Sequence, residues 1–333
     1  MQQKKTVVRR GQYIYLLAEG VWYCYNPADT PLGSGAMGDV YIGYRCADGV
    51  KVAIKKVKDC YANNAMIRQR AKQEASLAFR HPNIVEMLGY CEYAPDRGPI
   101  WIVSKYVQGE DADKYVALFA NTHNREEKIC RLILPVIDAL EYIHQKGVVH
   151  RDIKPSNIMV ENGNNVRLMD LGISRVNGGN KFSQYGFIGT PQYASPEQIK
   201  RSEGAGESDI NATSDIYALG ITLYELLAGN NPMDKGNDAE TLAAQISDKL
   251  PPTNKISPRL MRVIWKATEK EQAKRFQRAT ELKRAILDVF TYEPTATERI
   301  SNWIKNNPIA TAAIAGAAVI AAAAVIAVAA LTI

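Results

Sequence analysis

Apolar positions change their rhythm once along this chain. Up to Tyr106 they fall in short runs rich in β-branched and aromatic residues, broken by glycine, proline and aspartate. Such runs predict strands at Tyr13 to Leu17, Val21 to Tyr25, Val40 to Tyr44, Val52 to Lys55, Ile84 to Leu88 and Ile100 to Tyr106. The first two flank Glu19-Gly20 and predict a β-hairpin in an N-terminal extension, residues 1–27. One stretch, about Asn64 to Phe79, is rich in Arg, Gln, Lys and Ala and predicts a helix, which His81-Pro82-Asn83 ends. Past Gly109 the spacing becomes helical, from Ala112 to Asn121 and from Arg125 to Lys146. The second helix sets Ile129, Leu132, Ile133, Val136, Ile137, Leu140 and Ile143 on one broad apolar face. The chain therefore reads as α+β, a strand-rich part over residues 28–107 and a helical part over 108–290, with the seam near Gly109. Residues 291–308 are polar, contain Pro294 and Pro308, and predict a linker. Ile309 to Ile333 then runs 25 residues without a charge, 13 of them alanine and nine Ile, Val or Leu. As a helix rising about 1.5 Å per residue it would extend roughly 37 Å, enough to cross a hydrocarbon core of about 30 Å. It has no polar face, so a membrane span is expected over an interfacial helix.

Composition narrows the options. With 333 residues, 46% hydrophobic and 23% charged, the chain holds one large domain of two lobes or two small ones. The formal charge of +6 comes from dispersed Lys and Arg, with no basic run among aromatics, so no nucleic-acid partner is expected. Cys24, Cys46, Cys60, Cys91 and Cys130 are odd in number and form no C-x-x-C pair. That argues for reduced thiols in a cytosolic compartment and against a disulfide framework or a zinc site. No long apolar segment follows Met1 to Lys5, so a cleaved secretory signal is not expected.

The candidate chemistry lies in loops. His150-Arg151-Asp152-Ile153-Lys154-Pro155-Ser156-Asn157 sits between the apolar runs Gly147 to Val149 and Ile158 to Val160. Charged residues so placed belong to a loop that turns out of the core. A carboxylate, a lysine and an asparagine at that spacing can converge on one phosphate and its metal. Leu32-Gly33-Ser34-Gly35-Ala36-Met37-Gly38-Asp39-Val40 carries three glycines at G-x-G-x-x-G spacing. Glycine allows a tight turn and close backbone approach to phosphate. A strand follows, not the helix that a dinucleotide-binding loop would open. Lys55 ends Val52-Ala53-Ile54-Lys55, and Glu74 lies on the predicted helix. Each residue also has a plain reading: Asp152 a turn residue, Lys55 a snorkelling stem, Glu74 a solvated charge, Asp170 a strand end, Asp215 an N-cap. Their joint order is what points to one site.

Together these stretches resemble the motif set of eukaryotic-type (Hanks-type) serine/threonine protein kinases, over about residues 28–290. The resemblance implies the two-lobed protein kinase fold, with ATP and Mg2+ (Mn2+ being an alternative) and protein substrates with Ser or Thr acceptors. It implies Asp152 as catalytic base, Lys154 neutralising the transferred phosphoryl group, and Asn157 and Asp170 holding the metal. ATP would be enclosed by Leu32, Gly33, Ser34, Gly35, Ala36, Met37, Gly38, Val40 and Ala53. Glu74 would hold Lys55 towards the α- and β-phosphates. Ser104 would be the gatekeeper, with the backbones of Lys105 and Val107 at the adenine. Lysine two places after Asp152 is the serine/threonine pattern. Asp170-Leu171-Gly172 departs from the family's D-F-G, and Ala194-Ser195-Pro196-Glu197 departs from its A-P-E. Leucine can still fill an apolar slot, so activity is expected to survive. Glu197 would pair with Arg275, and Asp215 would cap the catalytic loop.

Arg151 beside the base implies regulation by a phosphorylated residue at or near the loop 173–188, which offers Ser174 and Ser183, with Ser183 the first candidate; Thr190, just past the loop, is a second but is expected rather to contact the substrate and the base. Gly189 to Gln198 looks more like bacterial members than animal ones. The expectation is a bacterial-like, single-pass membrane-anchored serine/threonine kinase with its catalytic domain in the cytoplasm, Arg299 and Lys305 lying on the near flank of the span. Ala312 and Gly316 form a small-xxx-small pair that suits a homodimer. The alternative is a membrane-tethered pseudokinase scaffold.

Overall fold

The computed structural model describes residues 6–35, 38–76, 79–94, 97–163, 165–170, 190–202 and 210–291. Contacts divide the chain into Met1–Leu287 and Asp288–Ile333, and of the second unit only residues 288–291 are described. The predicted span 309–333 lies outside the described residues. Among the described residues no helix is long and apolar enough to cross a membrane.

The first lobe is an antiparallel sheet of eight strands. They are β1 (Val7–Arg10), β2 (Tyr13–Ala18), β3 (Val21–Tyr25), β4 (Gly33–Ser34), β5 (Gly38–Arg45), β6 (Lys51–Val57), β7 (Met87–Ala94) and β8 (Arg97–Lys105). The order is β1-β2-β3-β5-β6-β8-β7, with β4 on the side of β5. The β2–β3 hairpin is not separate from this sheet, since β3 pairs with β5, Cys24 lying opposite Tyr44. Side chains alternate across each strand. On one face Leu16, Ala18, Tyr23, Tyr25, Val52, Ile54, Cys91, Trp101 and Val103 form a core, and Trp101 Nε1 donates to the Tyr25 hydroxyl at 2.9 Å. On the other face Val57, Ile100 and Ile102 pack on Ile67 and Ala71 of α1 (Ala65–Ser76).

The predicted strand at Ile84 to Leu88 is misplaced. The strand is β7, beginning at Met87, while Ile84 bridges Leu168 in parallel and Val85 N donates to the Leu168 carbonyl at 3.0 Å. Both Ile84 and Val85 are buried there, so their apolar run signals a seam between lobes rather than a sheet position.

The second lobe is helical. A small sheet of β9 (Gly109–Asp111), β10 (Ile158–Glu161) and β11 (Asn165–Leu168) borders the seam in the order β11-β10-β9. Gly109 is required here, because a Cβ would stand 2.2 Å from the Val160 carbonyl oxygen. The helices are α2 (Ala112–Val116), α3 (Arg125–His144), α4 (Pro196–Ser202), α5 (Ala212–Ala228), α6 (Asp238–Ser247), α7 (Pro258–Ala267) and α8 (Ala279–Thr291). The predicted helix Ala112 to Asn121 shortens to α2 and a 3-10 turn, Ala117–Phe119. Helix α5 is the axis, buried along almost its whole length. The Asn211 side chain accepts from Thr213 N at its start, and Gly229 at φ +83° ends it.

Candidate active site

The loop between α3 and β10 is held from below by one carboxylate. Asp215, fully buried in the first turn of α5, accepts from His150 N at 2.8 Å and Arg151 N at 2.7 Å, and its Oδ2 lies 2.7 Å from His144 Nε2. Burial pushes the Asp215 carboxyl up, but the His144 hydrogen bond and these backbone donors outweigh it and hold it below the usual range. His150 is also fully buried. Its Nδ1 accepts from Asp152 N at 3.3 Å and its Nε2 meets the Met169 carbonyl at 3.0 Å, which fits a neutral ring. Burial lowers its pKa although Asp215 opposes this. Arg151 at φ +68° and Asp170 at φ +40° take left-handed backbone, a conformation that costs an L-residue about 1–2 kcal/mol. The carboxylate anchor under Arg151 maintains that turn.

Above this anchor four side chains converge. Asn157 Nδ2 donates to the Asp152 carbonyl at 2.8 Å and to Asp152 Oδ2 at 3.0 Å. Thr190 Oγ1 donates to Asp152 Oδ1 at 3.1 Å and accepts from Lys154 Nζ at 2.8 Å. Lys154 Nζ also stands 3.2 Å from Asp152 Oδ2. A carboxylate thus accepts from a hydroxyl while an ammonium sits beside both, which is the geometry for taking a proton from an alcohol.

Beside this cluster a cleft of about 200 Å³ lies under the sheet, lined by Leu32, Gly33, Val40, Ala53, Lys55, Met87, Ile102, Ser104, Tyr106, Val107, Ser156, Asn157, Met159, Met169 and Asp170. Its walls are apolar, and its floor carries Asn157 and Asp170. Lys55 Nζ lies 3.2 Å from Asp170 Oδ2. Lys105 is not among the residues that line this cleft: its N donates to the Glu86 carbonyl at 2.9 Å, and it lines a separate hollow with Arg80, His81 and Arg167. At the glycine turn Gly35 N donates to the Gly38 carbonyl at 2.9 Å, and Ser34 Oγ donates to the Asp39 carboxylate. Gly38 tolerates no side chain, as a Cβ would meet the Lys56 carbonyl at 2.4 Å. Ala36, Met37 and Ser183 lie outside the described residues, as does the side chain of Glu74, which belongs to α1.

The segment after the cluster is clamped to the helices. Arg275 NH1 and NH2 reach Glu197 Oε1 at 2.7 Å and Oε2 at 2.9 Å, both partners buried, and Ser214 Oγ adds a bond of 2.6 Å. Burial raises the Glu197 carboxyl, yet Arg275 prevails and holds it below the ordinary value. Three residues of this site were not singled out from sequence. His144 supports Asp215, Gln198 Nε2 bonds the Arg151 carbonyl at 3.2 Å, and Gln245 Nε2 holds the Pro191 and Gln192 carbonyls. All three act across long sequence separations, and no local pattern marks them.

Residues 28–286 match the family model described as protein kinase domain. The chain is 33% identical over 301 residues to serine/threonine-protein kinase PknB of Mycolicibacterium smegmatis, covering 86% of this chain and 47% of that protein. It is 33% identical over 284 residues to the Mycobacterium tuberculosis PknB, covering 81% and 43%, and 32% identical over 271 residues to pkn2 of Myxococcus xanthus, covering 77% and 31%. The chain thus spans less than half the length of these relatives. Among solved structures, the kinase domain of Mycobacterium tuberculosis PknI superposes with a TM-score of 0.59 at 26% identity, covering 86% of this chain and 99% of that one. The fold, the loop geometry and these matches agree, and the chain belongs to the protein kinase domain family.

Proposed function

We propose that this chain is an ATP-dependent protein serine/threonine kinase. The observation that carries the reading is the Asp152–Thr190–Lys154–Asn157 cluster standing beside Lys55 and Asp170 in one cleft. Asp152 accepts the hydroxyl proton of a serine or threonine acceptor and aims its oxygen at the γ-phosphorus. Lys154 neutralises charge on the transferred group. The glycine turn, Lys55 and the backbones of Lys105 and Val107 bind the nucleotide, with Glu74 steadying Lys55. The donor set fits a magnesium ion. The Asn157 amide nitrogen is committed to Asp152, which reserves its carbonyl oxygen, and Asp170 supplies a carboxylate. Among the described residues no three His, Cys, Asp or Glu gather as a metal centre, so these two oxygens and the phosphates of the substrate would share the ion. That ion supplies charge neutralisation at the phosphates.

Two further parts of the reading rest on sequence. The uncharged run 309–333 anchors residues 28–290 to a membrane, with 291–308 as linker and the catalytic domain in the cytoplasm. Phosphorylation at Ser183 orders the loop through Arg151. Mass spectrometry of active protein that found residues 173–190 unmodified would remove this regulatory step. The central test is transfer of labelled phosphate from MgATP to the chain and to a generic basic protein, with Asp152→Asn as control. Label in the native chain alone supports the enzyme. Equal label in both removes it.

A further inference from the structure

The N-terminal strands carry no residue of the cleft, yet they are tied to the helix beside it. The sheet rolls far enough for its first strand to meet its last. Thr6, at the foot of β1, donates its hydroxyl to the Glu92 carbonyl of β7 at 2.8 Å. The Thr6 carbonyl accepts from Leu17 N at 2.7 Å and from Cys91 Sγ at 3.5 Å. Glu92 faces α1 with its carboxylate, and there it meets Arg68.

Arg68 is a charged side chain in a buried position, 4% exposed. Its NH1 donates to the carbonyls of Ala62 and Gly98, and its NH2 donates to Glu92 Oε2 and, at 2.9 Å, to the Ala94 carbonyl. The Tyr90 hydroxyl adds a bond to Glu92 Oε2 at 3.2 Å. Among the described side chains of α1, only Ile67, Arg68 and Ala71 are buried. Ile67 and Ala71 give α1 an apolar contact with the sheet, and Arg68 stands between them. To that contact the guanidinium adds four hydrogen bonds, to Ala62, Gly98, Glu92 and Ala94. A planar fork with several donors also fixes rotation, which a greasy contact leaves loose. Glu74 follows Arg68 by six residues on the same helix.

We propose that Arg68 and Glu92 form a latch that positions α1 against the β7–β8 hairpin, and that strand β1 closes the latch from the other side through Thr6. Arg68 is a positioning residue: it touches neither substrate nor nucleotide and acts by setting where α1 lies against the sheet that carries Lys55. The N-terminal strands are then an intramolecular brace for the catalytic lobe. This rests on the kinase reading above, and the test separates the two.

The experiment uses the full chain with Arg68→Met, Arg68→Lys, Glu92→Gln and Thr6→Val. Hydrogen exchange of backbone amides, read by mass spectrometry, needs no activity. Arg68→Met and Glu92→Gln are expected to speed exchange in residues 65–76 by about tenfold or more while β6 and α5 keep their native protection. Thr6→Val shifts the same peptides less, and Arg68→Lys falls between. In phosphate transfer, kcat drops by about 10–100-fold in Arg68→Met with KM for the protein substrate unchanged, because the reacting groups are misplaced rather than removed. The double variant Arg68→Met with Glu92→Gln is no worse than Arg68→Met alone. Native exchange in residues 65–76 overturns the latch. So does loosening spread equally over β6 and β8, which would make Arg68 a support of the whole sheet. A wild-type chain that transfers no phosphate sinks the kinase reading instead, and the exchange data still judge the latch.

Discussion

Removing the Arg275 guanidinium is the most telling perturbation of the helical lobe. Arg275 is 2% exposed and Glu197 is 4% exposed. The guanidinium makes the bidentate contact with Glu197 and also donates to the carbonyls of Glu269 at 2.7 Å, Thr213 at 3.0 Å and Lys270 at 3.1 Å. Arg275→Met would fill much of the volume but leave a buried carboxylate without its cation, and three carbonyls without this donor. Breaking a buried pair from one side costs about 3–5 kcal/mol. For a domain of this size that lowers Tm by about 6–20 °C. Thermal unfolding at neutral pH, followed by calorimetry or circular dichroism, measures it. Arg275→Lys should fall well short of rescue, since an ammonium cannot span both carboxylate oxygens and the three carbonyls. The pH dependence has a definite sign. Glu197 has a depressed folded pKa, so its share of stability is present above the ordinary carboxylate range and is lost as pH falls through the folded value. Glu197→Gln should remove that part of the acid sensitivity. A Tm within about 2 °C of wild type for Arg275→Met would refute the reasoning.

Other expectations follow from single residues. Asp215→Asn keeps the shape but replaces one accepting oxygen by an amide, so it should cost about 1.5–3 kcal/mol and lower kcat with nucleotide affinity retained, read by denaturant unfolding and by transfer kinetics. Thr190→Val removes the hydroxyl between Lys154 and Asp152 and should slow transfer by about tenfold or more, whereas Thr190→Ser should keep most activity. Deleting residues 309–333 should move the protein from the membrane fraction to the soluble one with kcat unchanged. Full-length chain that carbonate extraction releases from membranes would refute the span.

Much of the site was legible because its residues are close in sequence. Asp152, Lys154 and Asn157 share one short loop, and a loop between apolar strands has few ways to face. Helix α3 was legible from its wide apolar face, and the glycine turn from three glycines before a strand. The strand at Ile84 was not, because a short buried run reads alike in a sheet and in a seam between lobes. The short β9 was not, because its pairing with β10 spans a long separation and leaves no periodicity in three residues.

By itself the sequence determined which candidate side chains share one loop and in what order the lobes come. Motif spacing and hydrophobic period are local quantities, and they survive without coordinates. Tertiary structure alone decided what those side chains rest on. It put His144 against Asp215, Arg68 on Glu92, and the first strand beside the last. Each of these is a contact between distant segments, chosen by burial: a charge taken out of water must find its partner wherever the fold has brought one.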